Sequence, residues 1–351
     1  MKHKLTISTL LLLALFLTLA PTIMASTATW YVNGVRGNDS NNCKSPTAAC
    51  KTIGHAIVLA LSGDTVTVAA ATYSENLTIS RSLKITGSGA RTTIIDGGGH
   101  GSVVRISSTG ANVTLSNMTI RNGSDGGVVF FGGSGGGISN TGTLTVNSGT
   151  ISGNRVGASR AYSVSHGGGI YNGGTLTINR STISGNSASG IFLARSYGVG
   201  GGIYNAGTLT VNNSTISPNI SSWPSGGIYG PATLQNSIVA NGELGNCAGA
   251  MTSKGYNLSD DGTCNFSSKG DWNNTDPMLV TLGNNGGPTQ TMALLPGSPA
   301  IDAGNPSGCT DGLGHLLTTD QRGYPYRRPD SEDKTDPKPR CDMGAYERQS
   351  D

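Results

Sequence analysis

The chain has 351 residues, 54 of them glycine, with a formal net charge of +3, 12% charged residues and 5% aromatics. Glycine stands at about twice its usual share, and no block of lysine and arginine offers the electrostatic footprint that nucleic-acid binding needs. A large globular core is excluded by the low apolar fraction of 35%. What remains is disorder or a thin, repetitive core, and the repeats described below decide for the second.

Residues 1–25 read as a secretory signal peptide, with Lys2 and Lys4 ahead of an apolar run from Leu10 to Ala20 and small residues around Ala25 to Ala28. Its removal leaves a formal charge of +1. No later segment reaches the ~18 consecutive apolar residues of a membrane span, and the first cysteine, Cys43, lies too far downstream for lipidation at the cleavage point. The expectation is a secreted or cell-surface protein. In such a compartment six cysteines favour disulfides over metal ligation. They allow 15 connectivities, of which nearest-neighbour closure gives Cys43 with Cys50, Cys247 with Cys264, and Cys309 with Cys341.

Residues 26–63 form an N-terminal cap. In it Thr52 to Leu61 places Ile53, Ala56, Ile57 and Ala60 at helical spacing, so a short helix is predicted as a lid over the first coil. From 64 to 245 the grammar is that of strands. Val66 and Val68, Leu77 and Ile79, Leu83 and Ile85, then Val113 and Leu115 alternate with polar residues. The pattern then becomes an explicit repeat: GGGISNTGTLTVNSGTISGN (135–154), GGGIYNGGTLTINRSTISGN (167–186), GGGIYNAGTLTVNNSTISPN (200–219) and a degenerate SGGIYGPATLQNSIVAN (225–241). Steps of 32, 33 and 25 residues separate the matching isoleucines, a period that belongs to solenoids.

One unit cannot bury its own apolar face, so the units must stack at about 4.8 Å per step. The expected fold is all-β: a single-stranded right-handed parallel β-helix, a pectin-lyase-like solenoid. Ile138, Ile170, Ile203 and Ile228 form one internal column, and Leu144, Leu176, Leu209 and Leu234 another. Asn154, Asn186, Asn219 and Asn241 recur at one corner as a structural amide ladder. After Asn241 the chain turns rich in Asp, Pro and Cys, and 246–351 is read as an irregular C-terminal cap with a Pro-rich loop from Arg327 to Pro339.

The C-terminal strings GYNLSDDGTC (255–264), NNTDPML (273–279), NNGGPTQTMALLPGSPAIDAG (284–304), TDQRGYP (319–325) and CDMGAYE (341–347) occur in an order that resembles the choice-of-anchor Q domain proteins. With the upstream TIxxAI and GDTV elements, the likeness extends over most of the chain beyond the signal peptide. It implies a right-handed β-helix exported to a bacterial surface and held by an anchor of variable type. Only Arg348 to Asp351 follow the last string, so the expected anchoring route is not readable. The resemblance supplies no activity.

Catalytic readings fare poorly on the residues. Gly99-His100-Gly101, Arg105-Ile106, Asp260-Asp261 and Asn274-Thr275-Asp276 echo polygalacturonase strings, but in a scrambled order and without the lysine of the Arg-Ile-Lys element. Their carboxyls and histidine should lie about six coils apart, whereas inverting hydrolysis needs two carboxyls within ~10 Å. A lyase would require a calcium-holding acidic cluster with a basic residue from neighbouring coils, yet 127–242 contains no Asp or Glu. Asp260, Asp261, Asp271 and Asp276 could form an acidic cluster that supplies oxygen ligands for a structural calcium in the cap. Solvated loop carboxylates and Asx turns are the favoured reading of them. No catalytic residue, cofactor or metal is assigned.

Two features point to binding. The residue after each inward isoleucine faces outward, which makes Tyr171, Tyr204 and Tyr229 a column suited either to sugar stacking or to stiffening the sheet by self-stacking. The inserts Arg155 to His166, Ser187 to Val199 and Ile220 to Ser225 interrupt the repeat at one place and must emerge along one edge, where they carry Arg160, Tyr162, His166, Phe192, Arg195, Tyr197 and Trp223. An extracellular glycan or a surface protein is the expected partner. Lone His55 and His315 read as ordinary turn residues, and the Asn76 and Asn112 sequons as products of composition.

Overall fold

The computed structural model describes residues 27–126, 134–158, 162–190, 195–311, 314–330 and 340–349. The signal peptide, Arg160, Phe192 and most of the Pro-rich loop lie outside the described residues. The chain winds as an all-β right-handed parallel β-helix, with one α-helix among the described residues, Ile53–Leu59.

Three long sheets form the walls, every pairing parallel. The first has nine strands, from Thr29–Val32 through Thr143–Asn147, Thr175–Asn179 and Thr208–Asn212 to Met251–Ser253. The second has eight, from Ala71–Ser74 through Thr150–Ser152 and Thr182–Ser184 to Leu258–Ser259. The third has seven, from Leu77–Ile79 through Ile138–Asn140, Ile170–Asn172 and Ile203–Asn205 to Cys247–Ala248. Alternation along each strand turns every second residue inward. The register stacks Ile138 on Ile170, Ile170 on Ile203, and Ile203 on Ile228, all with zero exposure. The isoleucine column is therefore as expected.

The leucine column is not. Leu144, Leu176 and Leu209 stack, but the last unit shifts so that Val211 meets Leu234. Leu234 thus continues the neighbouring column of Val146 and Ile178, and Ala232 takes the place opposite Leu209. A shortened unit with Gly230-Pro231 at its corner loses residues ahead of the strand, and the remaining alternation is satisfied two residues later.

The asparagine corner also needs correction at one end. Asn154 Nδ2 donates to Asn186 Oδ1 and Asn186 Nδ2 to Asn219 Oδ1, each at 3.0 Å. Asn241 stands outside this ladder. It is exposed at φ +54°, while Gly242 bridges to Asn219. Two further ladders have no counterpart in the sequence reading: Asn140, Asn172 and Asn205 at a second corner, and Asn147, Asn179 and Asn212 at a third.

The helix Ile53–Leu59 buries Ile53, Ala56 and Ile57 over the first coil, as its spacing predicts. The solenoid itself begins earlier than Gly63, because Thr29–Val32 already pairs with Thr65–Val68. All three disulfides join the nearest-neighbour pairs, Cys43–Cys50, Cys247–Cys264 and Cys309–Cys341.

The C-terminal region divides. Strands Cys247–Ala248, Met251–Ser253 and Leu258–Ser259 add a last coil. Beyond about residue 278 the chain does not cover the end of the tube. It runs back along the outer face of the second sheet as a strap. Thr150 Oγ1 donates to Gln290 O at 2.9 Å, Thr182 Oγ1 to Gln321 Oε1 at 2.6 Å, and Ala345 N to Thr215 Oγ1 at 3.1 Å. These threonines point away from the core, yet the strap buries them. Inside the strap, Arg322 pairs with Asp320 and Arg328 with Glu347, both at 2.7 Å and both buried. The TDQRGYP and CDMGAYE strings supply five of these docking or pairing residues: Asp320, Gln321, Arg322, Ala345 and Glu347.

Candidate functional site

The inserts emerge along one edge and build two further parallel sheets. One contains Ser124–Asp125, Arg155–Ala158, Asn186–Gly190 and Asn219–Ser221; the other is a ribbon of Val164–His166 and Tyr197–Val199. The two layers lie close together. A Cβ at Gly198 would meet the backbone of Ala188 at 2.2 Å, and Ser165 Oγ donates to Ser189 O at 2.8 Å. That contact decides which way the ribbon faces. Ser165 and Gly198 point into the layer, so the alternate residues Val164, His166, Tyr197 and Val199 share the opposite face.

The triple glycines explain how the chain returns from the insert. A Cβ on the middle glycine, Gly168, would lie 2.4 Å from Ser187 O and 2.5 Å from Gly201 O. Only a residue without a side chain lets the returning strand cross there. This signal was present in the sequence as the GGG ahead of Ile138, Ile170 and Ile203, though it reads locally as a turn.

The ribbon's free face meets the tyrosine column at His166, whose ring lies edge-on to Tyr204 at 4.4 Å. Tyr197 packs against Trp223 at 4.8 Å, and Trp223 N donates to Gly198 O at 3.1 Å. The result is two columns of side chains along the solenoid axis: Tyr171, Tyr204 and Tyr229 as a floor, and Val164, Tyr197 and Trp223 as a wall, with His166 between them. Of the sequence-selected residues, the structure brings Tyr171, Tyr204, Tyr229 and His166 together in one cluster and Tyr197 with Trp223 in another; Tyr162 and Arg195 sit at the insert tip, with the guanidinium 6.0 Å from the Tyr162 ring. On the far margin of the floor, Gly207, Leu209, Pro231, Ala232 and Ala250 help line a hollow of about 250 Å³.

The floor is a self-stacked ladder. Tyr171 and Tyr204 lie 5.7 Å apart and Tyr204 and Tyr229 5.3 Å apart, each pair within 7° of parallel. Both faces of Tyr204 are thus taken by its neighbours, and a ligand would meet ring edges there. The aromatic wall is different, because Trp223 is about half exposed (49%). Burial holds the His166 imidazole below its ordinary pKa, so the histidine between the columns is neutral near pH 7. Burial, with the Tyr229 and Tyr171 phenols adding to it, pushes the Tyr204 phenol up.

The remaining candidates fall elsewhere. From Val104–Ile106 to Cys247–Ala248 the third sheet takes five strand steps, about 24 Å, so His100 and the acidic residues of the last coils share no site. Asp260, Asp261, Asp271 and Asp276 each accept main-chain N–H bonds, from Asn241, Asn246, Asn257 and Met278 respectively. His315 bonds Asp311 at 3.0 Å. His55 is closer to chemistry than the sequence suggested: it, Cys43 and Cys50 offer atoms within 4.8 Å of one another. Both sulfurs are committed to the disulfide, which removes the thiolates a metal would need.

The sequence matches no protein-family model and no curated protein. Two of the solved structures that are similar to it are pectin methylesterases. One is a pectin methylesterase mutant in complex with a hexasaccharide, at 16% identity and TM-score 0.31 over 67% of this chain and 71% of that one. The other is a pectin methylesterase with a different hexasaccharide, at 15% identity and TM-score 0.34 over 64% and 82%. The chain is a right-handed parallel β-helix. Among the described residues no helix is long and apolar enough to cross a membrane.

Proposed function

We propose that this is an exported, non-catalytic β-helix of the cell surface or extracellular space, of the choice-of-anchor Q kind, that binds an extended glycan along the aromatic columns of the tyrosine ladder and the insert ribbon. One observation carries the reading: aromatic side chains are stacked along the repeats, and the sequence from 127 to 242 that builds them holds no Asp or Glu. Hydrolysis of a glycosidic bond by the usual route needs paired carboxyls beside the sugar, and a calcium-assisted elimination needs acidic ligands there. Binding needs neither. An aromatic wall suited to the apolar face of a sugar, a row of phenol edges for its hydroxyls and a neutral imidazole supply what recognition requires.

Purified protein on a glycan array, with Tyr197→Ala and Trp223→Ala variants alongside, tests this. Loss of at least about tenfold in affinity, with thermal stability retained, is the expected result. Unchanged binding in both variants would remove the columns from consideration. Depolymerisation or de-esterification of pectin or alginate by the same sample would establish the enzymatic alternative of a lyase, hydrolase or epimerase.

A further inference from the structure

The outer faces of the first and second sheets carry the same residue type and are covered differently. On the second sheet Thr150, Thr182 and Thr215 are buried beneath the strap, which bonds their hydroxyls. On the first sheet Thr114, Thr145, Thr177, Thr210, Thr233 and Thr252 follow one another in unbroken register, each opposite the next on the neighbouring strand. Two residues earlier on three of these strands, Thr143, Thr175 and Thr208 make a second column. None of these threonines is buried. No charged residue stands in the six strands that carry them, and Lys84, opposite Thr114, marks where the array ends.

The array is regular in two directions. Successive strands stand about 4.8 Å apart, and alternate residues along one strand about 6.6 Å. Asn147, Asn179 and Asn212, two residues on from Thr145, Thr177 and Thr210, bond side chain to side chain at 3.0 Å for each step. Ladders of this kind hold a sheet flat against its natural twist. The branched Cβ of threonine restricts χ1, so each residue presents its methyl and hydroxyl in few orientations.

We propose that this face binds ice. Its two spacings lie near the oxygen repeats along the two axes of a prism face of hexagonal ice, and complementarity to a lattice is what a repeated, uncharged, flat array offers over a single pocket. The methyls restrict the orientations of first-shell water, while the hydroxyls both donate to it and accept from it. Water held on the array is thereby arranged for a growing crystal. A sugar polymer is served less well, because the array has no aromatic ring to stack on and the asparagines beside it are engaged with one another. The aromatic columns proposed to bind glycan belong to the third sheet and the inserts, so the two readings stand or fall separately.

The test uses the full chain. In a nanolitre osmometer the protein should hold an ice crystal between separate melting and freezing temperatures, with a gap that widens with concentration, and it should be enriched in ice grown slowly from dilute solution. Thr177→Lys sets a charge in the middle of the array at an outward position and should remove both effects. Thr78→Lys, at an exposed outward position of the third sheet, should leave both intact. Thr208→Lys, at an exposed position of the array, takes the place of Thr177→Lys if that variant does not fold. Exclusion from ice with no temperature gap overturns the proposal, as do effects that survive both array variants. Binding to crystalline cellulose that Thr177→Lys removes, or self-association that it breaks, in either case without affinity for ice, gives the face to a polysaccharide or to a second copy of the chain instead.

Discussion

Asn172 donates its side-chain amide to Asn205 Oδ1 at 2.6 Å while its own Oδ1 accepts from Asn140 Nδ2 at 2.7 Å, so one buried residue links three successive coils. The same Nδ2 also reaches Gly174 O and Thr208 O. In a solenoid, where each coil contacts only its neighbours, such a residue adds buried side-chain links to the main-chain bonds that join the coils at that corner.

Replacing it should therefore be costly. Asn172→Ala is expected to lower stability by roughly 1–3 kcal/mol, read as the midpoint of urea unfolding. Asn241→Gly is the control. Asn241 is exposed, lies outside the ladder and already has positive φ, so a change below about 0.5 kcal/mol is expected. Equal losses in the two variants would contradict the ladder's role.

Gly168→Ala should be worse tolerated than its chemistry suggests. The added methyl meets backbone oxygens at 2.4 and 2.5 Å, not the yielding end of a side chain. A loss of roughly 1–3 kcal/mol or more is expected, with faster hydrogen exchange in 162–190. Exchange unchanged across that segment would show that the returning strand has room after all.

Strap docking should respond to pH. Burial pushes the Glu347 carboxyl up to about 7, against the opposing pull of Arg328, and Asp342 beside it is also raised, first by burial and then by Glu347. The folded state holds the proton more tightly than the unfolded chain does. The contribution of Glu347 to stability is therefore complete below the ordinary carboxylate range, falls as pH rises from there through about 7, and levels off above. Hydrogen exchange of 318–330 and 340–349 should quicken over that interval, and Glu347→Gln, which keeps an acceptor for Arg328, should flatten the dependence.

The aromatic columns should respond in the opposite sense. His166 is held neutral by burial, so acid must charge it at a cost in folded stability. That contribution is present above the ordinary histidine range near pH 6.5 and is lost as pH falls through the lower folded value. His166→Phe preserves a ring against Tyr204 and should remove the transition. Ring resonances of His166 followed through a pH titration provide the measurement; an unshifted midpoint would sink the idea.

The sequence by itself determined the winding. A period near 32 residues, Thr-Leu-Thr alternation and recurring inward isoleucines leave one economical way to bury thin apolar faces, and the pairing of Ile138, Ile170, Ile203 and Ile228 follows from it. Where a repeat was short, the register of Leu234 and the place of Asn241 could not be read, because equivalence by alignment breaks when residues are deleted at a corner. Tertiary structure alone decided the rest. Thr182 meets Gln321 from 139 residues away and Gln321 reaches Gly149 from 172; contacts made once, between segments with no shared period, leave no pattern in the chain. The tyrosines belong to both accounts: their spacing was legible, but whether their rings would face a ligand or one another depended on side-chain packing that only three dimensions specify.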